Sequence, residues 1–366
     1  MGESLTPPAR IGLVGCGAIS GQYLTTLART AGLDLVAVAD LDRTRADQVA
    51  RAWPGVRGLP VDDLLTDPDV DIVLNLTTPA AHADVALRAI AAGKDVYGEK
   101  PLAATTAQGR EVLSAAVSAG VRVGCAPDTV LGTGTQTARR AIDDGLIGTP
   151  VAATATMVTA GHERWHPDPD FYYQAGGGPL LDMGPYYVSC LVTLLGPVTA
   201  VVAAGSRTRD VRVIGSGPRR GERIPVAVDS HVTGVLTHAG GVLSTLVMSF
   251  DAVATRAAHV EVHGELGSLV VPDPNRFDGD VRVRGPHDPD WRPVAESAGY
   301  RGAGRGIGLA DLAGTAPGQE PRAGGTFAYH VLDVLESMLT SVAAGRSVPV
   351  RSRAGRPAAV PLSDAR

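Results

Sequence analysis

Aromatic residues are scarce in this 366-residue chain, where three tryptophans, eight tyrosines and four phenylalanines make up 4% of the total. That scarcity gives weight to any place where they gather. Cysteine is scarcer still: Cys16, Cys125 and Cys190 lie far apart, with no CxxC pair and no histidine cluster at zinc-ligand spacing, so neither a disulfide framework nor a structural metal is indicated. A reducing, cytoplasmic setting is expected. The chain also lacks a basic excess, and a formal charge of -5 argues against a general polyanion binder, so no nucleic acid partner is expected. Its one local basic run, Arg346, Arg351, Arg353, Arg356 and Arg366, reads as a solvated tail. No stretch approaches the roughly 18 uninterrupted apolar residues of a membrane span. The start, "MGESLTPPAR", lacks the charged beginning and apolar core of a signal peptide. No internal repeat is visible, and the hydrophobic content of 44% at this length suits about two domains.

The first third of the chain alternates strand and helix signals. "RIGLVGCG" is a short apolar run ending in glycines, "AISGQYLTTLARTAG" reads as a helix stopped by Gly32, and "LDLVAVAD" is a second apolar run ending in an acid. The alternation continues through "VDIVLNLTT", "AAHADVALRAIAAG", "KDVYGEK" and "VRVGCAP", with strands apolar enough to be buried on both faces. This predicts an α/β domain with a doubly wound parallel sheet over residues 1–127. Gly15, Gly17 and Ser20 occupy the three positions of the dinucleotide fingerprint, with serine in place of the third glycine, and Ala18 and Ile19 fill the turn between them. The first glycine permits a tight turn, the second lets a pyrophosphate approach the backbone, and the third position needs only a small side chain. Asp40 closes the next strand about 20 residues on, where a carboxylate accepts hydrogen bonds from ribose hydroxyls. That acid favours NAD over NADP, although Arg43 and Arg45 nearby keep NADP open.

Two features carry candidate chemistry. In "YGEKPLA", Lys100 stands where a parallel strand ends. By itself it reads as a solvated surface lysine, while on that edge of the sheet it could also hold an alkoxide or carbonyl oxygen by charge. The second feature is an aromatic cluster. Trp165, Phe171, Tyr172, Tyr173, Tyr186 and Tyr187 lie within 23 residues, with His162, Glu163 and His166 at their edge. Aromatic faces pack on the C–H faces of sugar rings while imidazole and carboxylate bind hydroxyls, so His162, Glu163, Trp165 and His166 are candidate substrate contacts. A core patch explains Phe171, Tyr173 and Tyr187 equally well. His162 and His166 lack a third ligand, and no metal is expected. If "LLDMGPYYVSCLVTLLG" starts a helix near Asp182, Pro185 falls in its first turn and Asp182 and Tyr186 share one face. The bland alternative makes Asp182 an N-cap and Tyr186 a packing residue.

From about residue 128 the periodicity changes to alternating runs, "PVAATATMV", "AVDSHVTGVLTH", "GGVLSTLVMSF" and "AHVEVHGELGSLVV", which suit an antiparallel sheet with one face buried. Its other face is open to a helix or a partner subunit, so a homo-oligomer through this sheet is expected. Residues 324–344 read as a closing amphipathic helix of a 128–366 domain, and the glycine-rich stretch 299–325 is either an active-site loop or a linker.

Together the glycine turn, "TTPAAHADVALRAIAAGKDVYGEKPLA" and "GGGPLLDMGPYY" resemble the Gfo/Idh/MocA family of oxidoreductases (glucose-fructose oxidoreductase, inositol dehydrogenase and relatives), from Arg10 to about Pro361. The resemblance implies an N-terminal Rossmann domain followed by an α/β domain with a large, mostly antiparallel sheet. It also implies transfer of hydride between NAD(P) and a hydroxyl or carbonyl of a sugar, sugar derivative or cyclitol. Carried over by motif position, Lys100 is similar to the family's catalytic lysine, Lys100 and Glu99 before it are expected at the cofactor, and Thr78, Pro79 and His82 match the loop beside the nicotinamide. His82 alone reads as a helix-start histidine satisfied by backbone. The family's usual Asp-x-Gly-x-His has Tyr186 in place of the histidine here, as in the subgroup that resembles glucose-fructose oxidoreductase and dihydrodiol dehydrogenases. The implied mechanism gives Tyr186 the proton, Lys100 the alkoxide, and Asp182 the orientation of substrate or of Lys100. Two alternatives remain open: an NAD-retaining glycosidase or eliminase that oxidises a sugar hydroxyl transiently, and a non-catalytic NAD-binding regulator.

Overall fold

The structure, a computed structural model, describes residues 7–316 and 318–365. In chain order the first elements are β1 (Ala9–Val14), α1 (Ser20–Leu27), β2 (Leu33–Ala39), α2 (Arg43–Ala52), β3 (Arg57–Gly58), α3 (Val61–Thr66), β4 (Ile72–Asn75), α4 (His82–Ala91), β5 (Asp95–Gly98), α5 (Thr106–Ala119) and β6 (Val123–Cys125). The strands form one parallel sheet in the order β3-β2-β1-β4-β5-β6. Adjacent residues of one strand point to opposite faces. Val14 and Val73 accordingly join an apolar cluster with Ala86 and Ile90 of α4 and Val112 of α5. Leu13 and Leu74 join another with Tyr23 and Leu27 of α1. A sheet covered on both faces explains why its strands read as unbroken apolar runs rather than alternating ones.

The second series is α6 (Thr133–Asp143), β7 (Pro150–Val158), α7 (Gly178–Leu195), β8 (Val198–Ser206), β9 (Val211–Val213), β10 (Arg223–Pro225), β11 (His231–His238), β12 (Leu243–Ser249), β13 (Val260–Gly264), β14 (Gly267–Val271), β15 (Val281–Arg284) and β16 (Arg292–Val294). After it come β17 (Tyr300–Arg301), α8 (Ile307–Gly314), α9 (Gly325–Ala344), β18 (Val348–Pro349) and β19 (Ser363–Asp364). Nine strands build a mixed sheet in the order β16-β15-β14-β13-β7-β12-β11-β8-β18, antiparallel except for the β7–β12 pair. One face is buried under α7 and the second part of α9: Leu335 packs closely on Gly184, and Ser341 accepts the Ala203 N–H at 2.8 Å. On the other face Val202, Thr233, Thr245 and Val247 are half-buried or exposed. The run 258–271, which the alternation suggests is one strand, is a hairpin, because the Gly264–Gly267 turn lets β13 fold back on β14.

The chain divides into two compact units that are not consecutive in sequence. The first holds Met1–Gly132, Tyr300–Tyr329 and Val360–Arg366, and the second Thr133–Gly299 and His330–Ala359. A single boundary after residue 127, with everything beyond it in the second domain, misses this return. The glycine-rich stretch is neither loop nor linker throughout, since it contains α8, whose Leu309 and Leu312 bury against the first sheet. The C-terminal arginines are not all solvated either: Arg356 reaches Asp143 at 2.9 Å and the Thr193 carbonyl at 3.1 Å, docking its segment on the second unit. Among the described residues no helix is long and apolar enough to cross a membrane.

Asp128 holds the returning stretch. Its carboxylate is fully buried and accepts the N–H groups of Gly306 at 2.8 Å and Gly308 at 3.0 Å, capping the start of α8. Burial, only partly offset by those hydrogen bonds, raises its pKa from 3.8 to about 6. A folded-state pKa above the unfolded one means the folded state binds the proton more readily, so stability should fall as pH rises from about 4 to about 6 and level off above. Asp128→Asn keeps an acceptor and loses the charge. Its chemical denaturation midpoint, measured between pH 4 and 8, should show no such fall, whereas a midpoint tracking the unmodified protein across that window would refute Asp128 as the source.

Candidate active site

The candidate residues fall into two groups, one in each unit. In the first unit the turn after β1 is shaped by what it cannot hold. Gly15 has φ of +101°, and a Cβ there would stand 2.6 Å from the Leu76 carbonyl, so backbone meets backbone without a side chain between them. A Cβ on Gly17 would meet nothing within 4 Å, which leaves its face open, and the Ser20 side chain is small enough to bury against the Gly17 carbonyl at 2.7 Å. Ala18 is exposed and Ile19 half-buried beside it. Asp40, just beyond β2, accepts the Cys16 N–H at 2.7 Å through one oxygen and the Asp42 N–H at 2.8 Å through the other. Each oxygen keeps a second lone pair for a hydroxyl. Burial beside Asp40 pushes the Cys16 thiol up to about 12, so the turn carries no thiolate that would repel a phosphate.

At the carboxyl end of β4, Thr78 and Pro79 are exposed at the start of a short 3-10 turn. His82 does not share that exposure. It opens α4 and is 2% exposed, with Nδ1 2.6 Å from the Pro101 carbonyl and Nε2 3.1 Å from the Thr77 carbonyl. Burial lowers its pKa, and the ring lies between two loops, donating to a carbonyl of one of them. Both ring nitrogens meet backbone carbonyls. Glu99, also expected at the cofactor, is buried as well: its carboxylate accepts the Tyr23 phenol at 2.8 Å and the Lys100 N–H at 2.9 Å. It fixes the backbone from which the half-buried Lys100 side chain departs just past β5.

In the second unit the glycines of "GGGPLL" place α7. A Cβ on Gly177 would collide with the Phe171 carbonyl, so the chain passes there only as glycine. The helix begins at Gly178, and it is Pro179, not Pro185, that takes the first-turn position. Asp182 is therefore helical rather than an N-cap, and Pro185 is interior, leaving the Leu181 carbonyl without its usual donor. Asp182 and Tyr186, four residues apart, share a face. Tyr187, about 100° further round, turns its phenol away from them, donating to Asp273 at 3.3 Å with the oxygen 2.9 Å from His259 Nδ1. It does more than fill space.

Asp182 has a partner that the sequence does not reveal, namely His162. The imidazole Nε2 lies 3.2 Å from Asp182 Oδ2, with the side chains 13% and 18% exposed. A carboxylate facing Nε2 places the ring proton there. Nδ1 is buried and without a hydrogen-bond partner among the described residues. Phe250, Tyr172 and Trp165 hold the ring at centroid distances of 4.4, 4.7 and 5.2 Å. Trp165 and Phe171 are 57% and 56% exposed at the rim, and His166 lies against both. Glu163 departs from expectation, because it is buried against Arg212 at 3.0 Å and the Tyr173 phenol, with no face left for substrate. Arg212 was legible only as a lone arginine in the alternating "VRV" of a short ribbon.

A doubly wound parallel sheet, a glycine turn open at its second glycine and an acid ending β2 fit a dinucleotide, while the carboxylate, imidazole and phenol around α7 fit hydroxyl chemistry. That combination defines the class of nicotinamide-dependent oxidoreductases with a separate substrate domain. Family comparisons agree: an oxidoreductase family described by its NAD-binding Rossmann fold matches residues 9–126, and the GFO/IDH/MocA C-terminal domain matches 135–270. The 1,5-anhydro-D-fructose reductase of Ensifer adhaerens is 31% identical over 71% of this chain and 75% of its own length. The trans-1,2-dihydrobenzene-1,2-diol dehydrogenase of Bos taurus is 29% identical over 76% and 78%. Among solved structures, an NAD binding oxidoreductase from Klebsiella pneumoniae superposes with a TM-score of 0.82 at 26% identity, covering 94% of this chain and all of that one. The chain belongs to the Gfo/Idh/MocA family of oxidoreductases.

Gly15→Ala forces a side chain into the 2.6 Å contact with Leu76 and into a left-handed backbone, a strain of about 2 kcal/mol or more. Titration of the purified variant with NADH, followed by nucleotide fluorescence, should show at least a tenfold weaker Kd, roughly the equivalent of 1.4 kcal/mol. Unchanged affinity would remove the turn from the cofactor site.

Proposed function

We propose that this protein is an NAD-dependent dehydrogenase or reductase acting on a secondary hydroxyl or the corresponding carbonyl of a sugar, sugar derivative or cyclitol. The observation that carries this reading is the Gly15–Gly17 turn with Asp40 behind it, in a family whose relatives bear the names of sugar, inositol and dihydrodiol oxidoreductases. Gly15, Gly17, Ala18 and Ile19 would hold the pyrophosphate side, Asp40 the ribose, and Thr78 and Pro79 the nicotinamide side. When bound, NAD supplies the hydride acceptor and donor at C4 of its nicotinamide. Preference for NAD over NADP rests on the Asp40 carboxylate, and on the occupation of both nearby arginines. Arg43 is 3.5 Å from Asp47 and Arg45 is 3.5 Å from Asp42, so neither is set aside for a 2′-phosphate.

The residues of this chain divide the remaining work. Tyr186 stands where most of the family carries histidine and moves the proton of the reacting hydroxyl. Lys100 stabilises the alkoxide by charge, and the proton transfer needs that help, since an unperturbed tyrosine near 10 is a weak base at neutral pH. Asp182 orients His162, which binds a further substrate hydroxyl, and the exposed rings of Trp165 and Phe171 receive the apolar face of the substrate.

Steady-state assays with a polyol panel and both cofactors test the assignment. Lys100→Ala should lower kcat by roughly 10² or more with NAD affinity little changed, and kcat/KM should favour NAD over NADP by about tenfold or more. Near-normal turnover by Lys100→Ala would remove it from the chemistry. Tyr186→Phe should lose a comparable factor, and if it does not, the proton travels through another group.

A further inference from the structure

The β9–β10 ribbon lies outside the nine-stranded sheet, yet it carries a charge buried behind the aromatic wall. Arg212, in the middle of β9, is 2% exposed. A guanidinium so deeply buried has to find acceptors for its fork of donors. Nη1 donates to the Ala160 carbonyl at 3.3 Å and to Glu163 Oε1 at 3.0 Å. Nη2 donates to the Phe250 carbonyl at 3.1 Å and to the Asp251 carboxylate. The group also lies over the Tyr173 ring, 5.3 Å from its centroid. Outer partners extend the network, though Arg212 Nε itself is buried without a partner among the described residues: the Tyr173 phenol donates to the second oxygen of Glu163, and the Ser230 hydroxyl to the second oxygen of Asp251 at 2.7 Å.

One planar group therefore ties residues 160–163 to residues 250–251. His162 sits between those tethers. It precedes Glu163 in sequence, and its ring packs on Phe250 at 4.4 Å. The rest of the ribbon is fastened to the same segment, with the Gly215 N–H donating to the Glu163 carbonyl at 2.7 Å and Arg219 reaching Asp170 at 2.6 Å and Asp168 at 3.3 Å.

We propose that Arg212 is a positioning residue for His162: by fixing both the 160–163 segment and the Phe250 wall, it keeps the imidazole in register with Asp182. The idea rests on the reading of His162 and Asp182 as substrate-facing. A lysine at 212 keeps the charge, but a single ammonium lacks the fork that bonds both tethers at once. Arg212 then acts on substrate binding more than on the chemical step, because it touches no reacting atom.

The test uses the full-length protein with 15N-labelled histidine, the His162 signals being assigned by their loss in His162→Gln. Long-range 15N–1H spectra read the tautomer. In the unmodified protein His162 should be held as the Nε2–H form; in Arg212→Lys it should shift toward mixed tautomers. The KM for 1,5-anhydro-D-fructose with NADH, or for a polyol found active in the panel, should rise roughly tenfold with kcat changed less than about threefold, since misplacement weakens binding first. Tyr173→Phe removes only the phenol hydroxyl from Glu163 and should shift the tautomer in the same direction by less, which keeps the test open if Arg212→Lys fails to fold by circular dichroism. A folded Arg212→Lys with unmodified His162 signals and KM would overturn the proposal, as would a folded Tyr173→Phe with unmodified His162 signals where Arg212→Lys does not fold. Altered tautomers in variants of an enzyme silent on every polyol would support the positioning role while defeating the substrate reading.

Discussion

The backbones leaving β1 and β4 pass so close at Gly15 and Leu76 that no side chain fits between them, and the geometry of the first unit follows from that contact. These strands are neighbours at the point where the order β3-β2-β1-β4-β5-β6 reverses direction, so the crevice for a ligand opens at their carboxyl ends. With residue 15 forced to glycine, the next N–H, that of Cys16, turns onto Asp40, and the residue after it faces open space. Burial beside that carboxylate keeps the Cys16 thiol protonated. A turn made of backbone donors, one acid and no other charge is what a pyrophosphate and a ribose require together.

Buried polar groups organise much of the rest, and several are answered by a specific partner. Asp128 meets the start of α8, Glu99 meets Tyr23 and the Lys100 N–H, and Lys94 gives its ammonium to the Asp67 and Val70 carbonyls at 2.6 and 2.8 Å. Pairing of this kind offsets desolvation without adding much net stability, and it makes alternative packings costly. α7 shows the opposite economy. It carries Asp182 and Tyr186 together with an interior proline, a local departure from good helix chemistry of the sort that concentrates where a site has to be shaped.

Much of the candidate site was legible in one dimension because its parts are local. The glycine turn and Asp40 belong to one β-α-β unit, and Lys100 follows directly from the end of a strand. Asp182 and Tyr186 are one helical turn apart. Glu163 shows where local logic stops, whereas His82 is the helix-start histidine satisfied by backbone that its own residues suggested. Both are polar residues in segments that look like binding loops, but Arg212 claims the first and two backbone carbonyls claim the second. Arg212 lies 49 residues from Glu163 in the chain, beyond any spacing rule. Pro185 was misplaced by one turn because Pro179 offers the same signal slightly earlier.

The sequence by itself determined what periodicity and short spacing encode: a parallel sheet buried on both faces, a mostly antiparallel sheet buried on one, a dinucleotide turn, and the resemblance that placed Lys100 and Tyr186. Tertiary structure alone decided that residues 300–329 return to the first unit and that Asp182 faces His162. It also decided that a ribbon arginine, rather than a substrate, occupies Glu163. The physical reason is the same in each case. Hydrophobic patterns are written along the chain, whereas the partner of a buried charge is chosen by proximity in space, and burial makes that choice compulsory without leaving a mark in the local sequence.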